Sequence, residues 1–366
     1  MPLTQEQITQ TLRTVNDPEL HRDLVTLGMV KKVAVCDGVV SLTIELTTPA
    51  CPLKDTIKSD IEKALHRDHG GEVRQVSIEF TADVKKATPQ AGAKENNPLP
   101  GVKHIVAIGA GKGGVGKSTV AVNVAVGLAR EGAKVGLLDG DIYGPSMPTM
   151  LGLDGMDIKA EGNMILPFEV HGLRAMTIGA MVEDDKPLIW RGPMAHGAFR
   201  QLATQTQWGE LDYLIIDLPP GTGDVPLTMS QLLPLTGAVV VCTPQKVAQD
   251  DARRAVRMFQ QLGIEVLGIV ENMSYFIGDD GKEYDIFGRG GAEMMAQQMG
   301  VPFLGAVPIN MALRHNSDAG DPTANFDSRH AGKLADELTH VVRTLAGQVS
   351  VATLSGRFVQ PTISIS

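Results

Sequence analysis

Apolar residues recur with two different periods in the first eighty positions of the chain. Ile8, Leu12 and Val15 form one helical stripe behind Thr4 and Gln7, which are spaced as a capping box. Val33 and Val35 then alternate toward Asp37-Gly38, a two-residue hairpin signal. On the return strand Val40, Leu42, Ile44 and Leu46 share one face, and Ser41, Thr43, Glu45 and Thr47 the other. Leu53, Ile57, Ile61 and Leu65 repeat at helical spacing after Pro52, and Val73 to Phe80 reads as a last strand. The pattern then stops. Lys85 to Gly101 (KKATPQAGAKENNPLPG) is rich in Pro, Ala, Gly and polar residues and reads as a linker. Beyond it, strand-like runs at Ile105–Ile108, Val135–Asp139, Tyr213–Asp217, Ala238–Cys242 and Val266–Val270 are separated by helical patterns, such as Ala248 to Leu262. Alternation of this kind predicts an α/β fold with a doubly wound, mostly parallel sheet, binding its ligand at the carboxyl ends of the strands. The expected organisation is a small α/β (α+β) domain over 1–84, a linker over 85–101, a large α/β domain over 102–350 and a flexible tail over 351–366.

Composition narrows the class. The 366 residues are 43% hydrophobic and 20% charged, ordinary values for a soluble globular protein with material for two cores. A net charge of −9 argues against nucleic acid as a partner, because phosphate contacts need clustered Lys and Arg. No apolar run approaches the roughly 20 residues that span a bilayer, and the polar start MPLTQEQITQ lacks the apolar stretch of a secretion signal. Three cysteines do not suggest a disulfide framework. A cytoplasmic, reducing compartment is therefore expected.

The chemistry begins at Gly111-Lys112-Gly113-Gly114-Val115-Gly116-Lys117-Ser118-Thr119, which fits G-x-x-x-x-G-K-[ST]. Such a loop wraps its backbone amides around nucleotide phosphates, while Lys117 meets the β/γ oxygens and Ser118 meets Mg²⁺. Context agrees: an apolar strand feeds the loop, and Ser118 to Arg130 repeats Val120, Val124 and Leu128 at helical spacing before Gly132. The helix N-terminus adds its dipole to anion binding. Leu214-Ile215-Ile216-Asp217 ends in a carboxylate placed to organise Mg²⁺ through water. The following Leu218 to Asp224 (LPPGTGD) is a stiff, glycine-jointed loop suited to sensing a γ-phosphate. Val135 to Asp141 (VGLLDGD) offers two more carboxylates: Asp139 to support Mg²⁺ through water, Asp141 to orient the attacking water.

Lys112 narrows the reading further. KGGVGKST resembles the deviant phosphate loop shared by the nitrogenase iron protein, the MinD and ParA ATPases and the Mrp-type iron–sulfur cluster carriers. The resemblance implies a homodimer in which Lys112 reaches the partner's nucleotide, supplying charge in trans as an arginine finger does. Within that class the chain is most similar to the Mrp (ApbC-like) carriers, through LLDGDIYGPSMPTMLG (137–152), WRGPM (190–194), DYLIIDLPPGTGD (212–224), TPQ (243–245), ENMSYF (271–276), IFGRGGA (286–292) and VPIN (307–310). VTLGMV (25–30) and TTPACPLKD (47–55) resemble the small cysteine-bearing domain often fused to these carriers. The resemblance implies ATP hydrolysis with Mg²⁺, adenine contacts from Asn272 and the Pro308 region, a dimer-held [4Fe–4S] cluster, and exchange with a scaffold and apo client proteins.

One departure limits what carries over. Carriers of this family place a C-x-x-C after ENMSxF; here Ile277 to Asp285 (IGDDGKEYD) holds no cysteine, and Gly278 to Gly281 reads as a tight acidic turn. The chain resembles the subset without that motif, which includes plastid members. Cys51 is then the candidate iron ligand: it precedes Pro52, a residue suited to the first position of a helix, where a helix N-terminus favours thiolate. Cys36 beside the hairpin reads as a surface residue and Cys242, within an apolar run, as core. His66 and His69 lack a third ligand and read as solvated; the sixteen methionines read as core filling. Two other functions stay open: an ATP-gated adaptor that holds no cluster, and a MinD/ParA-like positioning ATPase. The tail LSGRFVQPTISIS offers no basic amphipathic helix for a membrane, as the latter would need. A nitrogenase-type reductase lacks its cluster cysteines here.

Overall fold

The computed structural model describes residues 3–84, 86, 97–141, 144–181, 192–221, 229, 232–278 and 281–354. The chain separates into two compact units, Met1–Lys85 and Lys86–Ser366.

In the first unit, helix α1 (Gln5–Leu12) starts from the capping box that the spacing predicts: Thr4 Oγ1 accepts from the Gln7 amide, and Gln7 Oε1 accepts from the Thr4 amide. Strands β1 (Val30–Cys36) and β2 (Val39–Leu46) pair antiparallel across Asp37-Gly38, both left-handed at φ 47° and 80°, as a type I′ turn requires. Helix α2 (Lys54–His69) crosses back so that β3 (Gln75–Ala82) runs parallel to β2. The inward faces are those of the period-2 and period-3.6 patterns. Val40, Leu42, Ile44 and Leu46 are buried with Ile8, Leu12, Ile57, Ile61 and Leu65. The start of α2 differs from expectation. Leu53 is its N-cap, so Pro52 stands before the helix and not at its first position; Cys51 lies one residue further out.

The second unit is built on a nine-stranded sheet. In chain order its main elements are β4 (Val102–Gly109), α3 (Lys117–Arg130), β5 (Val135–Asp139), β6 (Phe168–Val170), β7 (Leu173–Thr177), α4 (Gly192–Gln205), β8 (Leu211–Asp217), β9 (Gly237–Cys242), α5 (Lys246–Gln261), β10 (Val266–Ile277), β11 (Glu283–Tyr284), α6 (Gly291–Met299), β12 (Phe303–Ile309), α7 (Met311–Asp318) and α8 (Lys333–Leu354). Spatially the order is β6-β7-β5-β8-β4-β9-β10-β11, with β12 pairing β10. All pairs are parallel except β6 with β7 and β10 with β11. The first strand thus lies in the middle, between β8 and β9. Chain connections leave it in opposite directions, and that reversal opens the crevice where α/β sheets bind ligands.

Buried parallel strands read as continuous apolar runs because both faces are covered. Ile105 and Ala107 of β4 and Leu214 and Ile216 of β8 meet Phe199 of α4, Phe259 of α5 and Met295 of α6 in one core. On the other face α3 packs on β5 and β8, α8 packs on β10 and β12, and the two helices touch. Helix α3 is buried around its whole circumference from Val120 to Leu128, so its apolar stripe is wider than Val120, Val124 and Leu128 alone imply.

Two boundaries shift. Leu99, expected in the linker, is buried in the core of the second unit, anchored between Pro98 and Pro100. Residues 351–354, expected in the tail, complete helix α8. The remainder of that tail and most of the linker, 85 and 87–96, fall outside the described residues, as do Trp190 and Arg191 of WRGPM and Thr222 to Asp224 of the glycine-jointed loop.

Candidate functional site

Strand β4 delivers the chain to the phosphate loop, and the register of its neighbours decides what meets it there. Asp217 at the end of β8 stands opposite Asp139 at the end of β5 and opposite Ile108 of β4. The three strands therefore end level to within a residue, and the terminal carboxylates of β5 and β8 lie beside the loop. Lys117, the first residue of α3, is 6% exposed. Its Nζ lies 2.5 Å from Asp217 Oδ1 and 3.5 Å from Asp141 Oδ2, and donates to Ser118 Oγ at 3.3 Å.

The loop glycines are required in place. Gly114 and Gly116 are left-handed at φ 78° and 79°, a region that disfavours a side chain. A Cβ on Gly116 would fall 2.1 Å from Asn272 Nδ2, and one on Gly111 would fall 2.2 Å from the Asp251 carbonyl of α5. Asn272 itself, 3% exposed, donates from Nδ2 to the Val115 carbonyl at 2.9 Å and so braces the loop from β10. Pro308 follows Val307, the β12 residue paired with Asn272, so the two residues expected near adenine lie on adjacent strands. Lys112 is half-buried, and no described residue forms an ion pair with it. On the opposite side Leu218, Pro219, Pro220 and Gly221 run beside the loop, with the Gly221 amide donating to the Ala110 carbonyl at 2.9 Å.

The carboxylates are unequal. Asp217 is fully buried; burial raises its pKa and the Lys117 ammonium beside it pulls the other way. Its Oδ2 is the one buried side-chain polar atom without a hydrogen-bond partner among the described residues. Buried polar atoms are almost always paired, so this one points to a ligand. Asp139 has both oxygens engaged: Thr177 Oγ1 donates to Oδ2 at 2.8 Å and the Asp141 amide donates to Oδ1 at 3.1 Å. Burial, and next the negative charge of Asp217, push its carboxyl up to about 7. Thr177 carries no mark in the sequence; its role comes from its place at the end of β7, level with Asp139.

Family comparison follows this geometry. Residues 101–346 match the family model described as NUBPL iron-transfer P-loop NTPase, and residues 5–78 match the iron–sulfur cluster assembly protein model. An iron–sulfur cluster carrier protein of Synechocystis is 49% identical over 96% of this chain and 99% of its own length. The chain belongs to the iron–sulfur cluster carrier family of P-loop NTPases. A second relative, the iron–sulfur cluster carrier protein of Deinococcus radiodurans, is 50% identical over 96% of this chain and 97% of itself. Among solved structures, a nucleotide-binding protein of Archaeoglobus fulgidus in complex with ADP is 38% identical, covering 61% of this chain and 88% of its own, with a TM-score of 0.55. The MinD ATPase of Pyrococcus furiosus, at 22% identity and a TM-score of 0.50 over 66% of this chain and 97% of its own, shares the fold.

For a chain of the carrier family, the cysteines are sparsely placed. Cys36 is exposed, Cys51 half-buried and Cys242 buried, and none of the three forms a disulfide. Cys242 lies in β9, where burial, and next the charge of Glu271, push its thiol up to about 12. Cys51 precedes the N-cap of α2 by two residues, further from the helix terminus than Pro52 at a first helical position would put it. Among the described residues no group of three or more His, Cys, Asp or Glu is arranged to hold a metal ion. Where other carriers have C-x-x-C, this chain folds a hairpin in which β11 returns antiparallel on the end of β10 and the Gly281 amide donates to the Gly278 carbonyl at 2.9 Å. Glu283 of that hairpin is bonded to both Arg289 and Lys333, and both cations lie over the Tyr275 ring, at 4.2 and 4.7 Å. No helix among the described residues is long and apolar enough to cross a membrane.

Proposed function

We propose that this chain is an ATP-hydrolysing carrier that receives an iron–sulfur cluster and passes it to apo client proteins as a nucleotide-gated homodimer in a reducing cytoplasm. The observation that supports it most is the Lys117–Asp217 pair at the mouth of the phosphate loop, with one carboxylate oxygen of Asp217 unpartnered. A buried carboxylate oxygen with no internal donor fits a water of a hydrated Mg²⁺. Ser118 would hold the ion directly and Asp217 through water, with Asp139 in support; the ion would neutralise charge on the phosphate oxygens.

The chain's own residues have these roles. Gly111 to Thr119 present amides to the phosphates, Lys117 balances charge on the β/γ oxygens, and the loop bracing from Asn272 keeps that cradle open. Asp141 orients water for attack on the γ-phosphorus; the bond to the β,γ-bridging oxygen breaks, leaving ADP and phosphate. Lys112, free of internal ion pairs among the described residues, is available to a partner's nucleotide, and Pro308 with Asn272 flanks the base. The cluster, the cargo of the reaction, would use Cys51 from each subunit, with the remaining ligands from client, scaffold or small thiols.

Anaerobic reconstitution with iron and sulfide tests the carrier role. Thiolate-to-iron absorbance and stoichiometric iron per dimer are expected, with the cluster passing to an apo acceptor. ATPase activity without any bound or transferred cluster would favour the adaptor reading. The salt-bridged hairpin in place of C-x-x-C is the observation on that side.

A further inference from the structure

The middle of β10 holds two consecutive polar side chains, both essentially buried and aimed at opposite faces of the sheet. Asn272 braces the phosphate loop, as described. Glu271, 0% exposed, faces the other way. Its Oε1 accepts from Ser274 Oγ at 2.5 Å and from the Gly290 amide at 2.9 Å, and its Oε2 accepts from the Ala292 amide at 2.8 Å. The carboxylate thus caps α6, whose own N-cap, Gly290, has no side chain to do so. The loop it holds is wedged in place: a Cβ on Gly291 would lie 2.1 Å from Gln249 Nε2 and 2.7 Å from the Pro244 carbonyl.

Directly after this pair stands Met273, left-handed at φ 55°, where the pairing of β10 with β12 slips. A side chain in that region costs roughly 1–2 kcal/mol, so the segment is held by its surroundings and has an easier conformation to relax into. A buried acid, a buried amide and a strained residue in sequence form a short lever between two loops.

We infer that Glu271 is a positioning residue that keeps the 286–292 loop in register with the phosphate loop, so that nucleotide bound on the Asn272 side is felt on the α6 side. This rests on the nucleotide-binding reading above. Coupling between sites is reciprocal: if nucleotide tightens the 286–292 loop, loosening that loop weakens nucleotide binding by the same factor.

Hydrogen exchange of the full chain with and without Mg-ADP tests it, with Glu271→Gln and Ser274→Ala as variants. Gln keeps one acceptor and sets an amide donor against the Ala292 N–H; Ala removes only the Ser274 bond, which keeps the test usable if the first variant folds poorly. In the unmodified chain Mg-ADP should slow exchange at 111–119 and also at 286–294. In the variants protection at 111–119 under saturating Mg-ADP should persist, the change at 286–294 should shrink, and the Mg-ADP dissociation constant should rise about fivefold. An undiminished response at 286–294 in both variants overturns the inference. So does protection confined to 111–119 in the unmodified chain. No protection at 111–119 in the unmodified chain would remove the nucleotide-binding reading itself, and this inference with it.

Discussion

The phosphate loop and the Cys51 loop differ in how much of a site one chain can supply. At the phosphate loop, the proposed recognition rests on backbone amides, and parallel register brings Asp139, Asp141 and Asp217 to one place. Every component is local to the second unit. Iron asks for thiolates, and the chain owns three cysteines, of which one is exposed, one half-buried and one locked in the sheet with its thiol raised to about 12. Phosphate is bound by what every fold has; a cluster is bound by what a fold must be given. On the reading proposed above, one chain supplies all of its nucleotide site except a lysine in trans, whereas the cargo site would take most of its ligands from outside the chain.

The comparison breaks most visibly at Lys117. Lys117→Ala should lower ATP turnover by about 100-fold or more, as loss of a preorganised transition-state charge does. It should also cost roughly 3–5 kcal/mol of stability, because Asp217 is left buried without its partner. Steady-state kinetics and denaturant unfolding measure the two; a loss of turnover below tenfold would remove Lys117 from the chemistry. Cys51→Ala tests the other side. Reconstituted iron should fall to background while ATPase activity stays within about twofold, since the residue belongs to the other unit and is no part of the phosphate loop. Cys242→Val should leave iron content unchanged.

A subtler test concerns Asp139. Its carboxyl is raised from 3.8 to about 7 in the native state. Below about pH 4 folded and unfolded chains both hold the proton, and the folded state is not penalised. As pH rises toward about 7 the unfolded chain ionises first, so stability falls through that window. The loss is on the order of 4 kcal/mol. Unfolding free energies between pH 4.5 and 7.5, in EDTA and without nucleotide, should fall for the unmodified chain; Asp139→Asn should flatten that part of the slope. The smallest effect is expected in the first unit: Thr4→Ala removes the α1 capping box and should cost about 1 kcal/mol, with no change in ATP turnover.

Much of this was legible in the sequence, for particular reasons. The alternation from Val40 to Leu46 is the core face of β2, and Asp37-Gly38 is its turn, because both rest on local geometry. The phosphate loop was legible because its chemistry leaves few residue choices. Strand ends were harder. Strand β10 continues seven residues past Val270, through Glu271 and Asn272, whose polarity hides the strand and whose backbone partners, Val115 and Ala292, lie outside it. Strand β12 carries Gly305 and Pro308, which break an apolar run without breaking the strand. Thr177 and Glu271 acquire their roles only from register, and no periodicity contains that information. Pro52 misled by its company: it stands outside α2 because Leu53 takes the cap.

The central position of β4 has a further consequence, in the order of synthesis. The strand that carries the phosphate loop is made first in its unit, yet both of its sheet neighbours, β8 and β9, are made much later. Non-local pairing of this kind is slow, because loop closure must precede any reward. A nascent chain that has displayed the whole GKGGVGKST signature still lacks the carboxylates of Asp139, Asp141 and Asp217, and after them the brace of Asn272. On the reading proposed above, nucleotide binding waits until the chain has been translated through β10, and a fragment ending earlier carries the signature without the carboxylates and the brace.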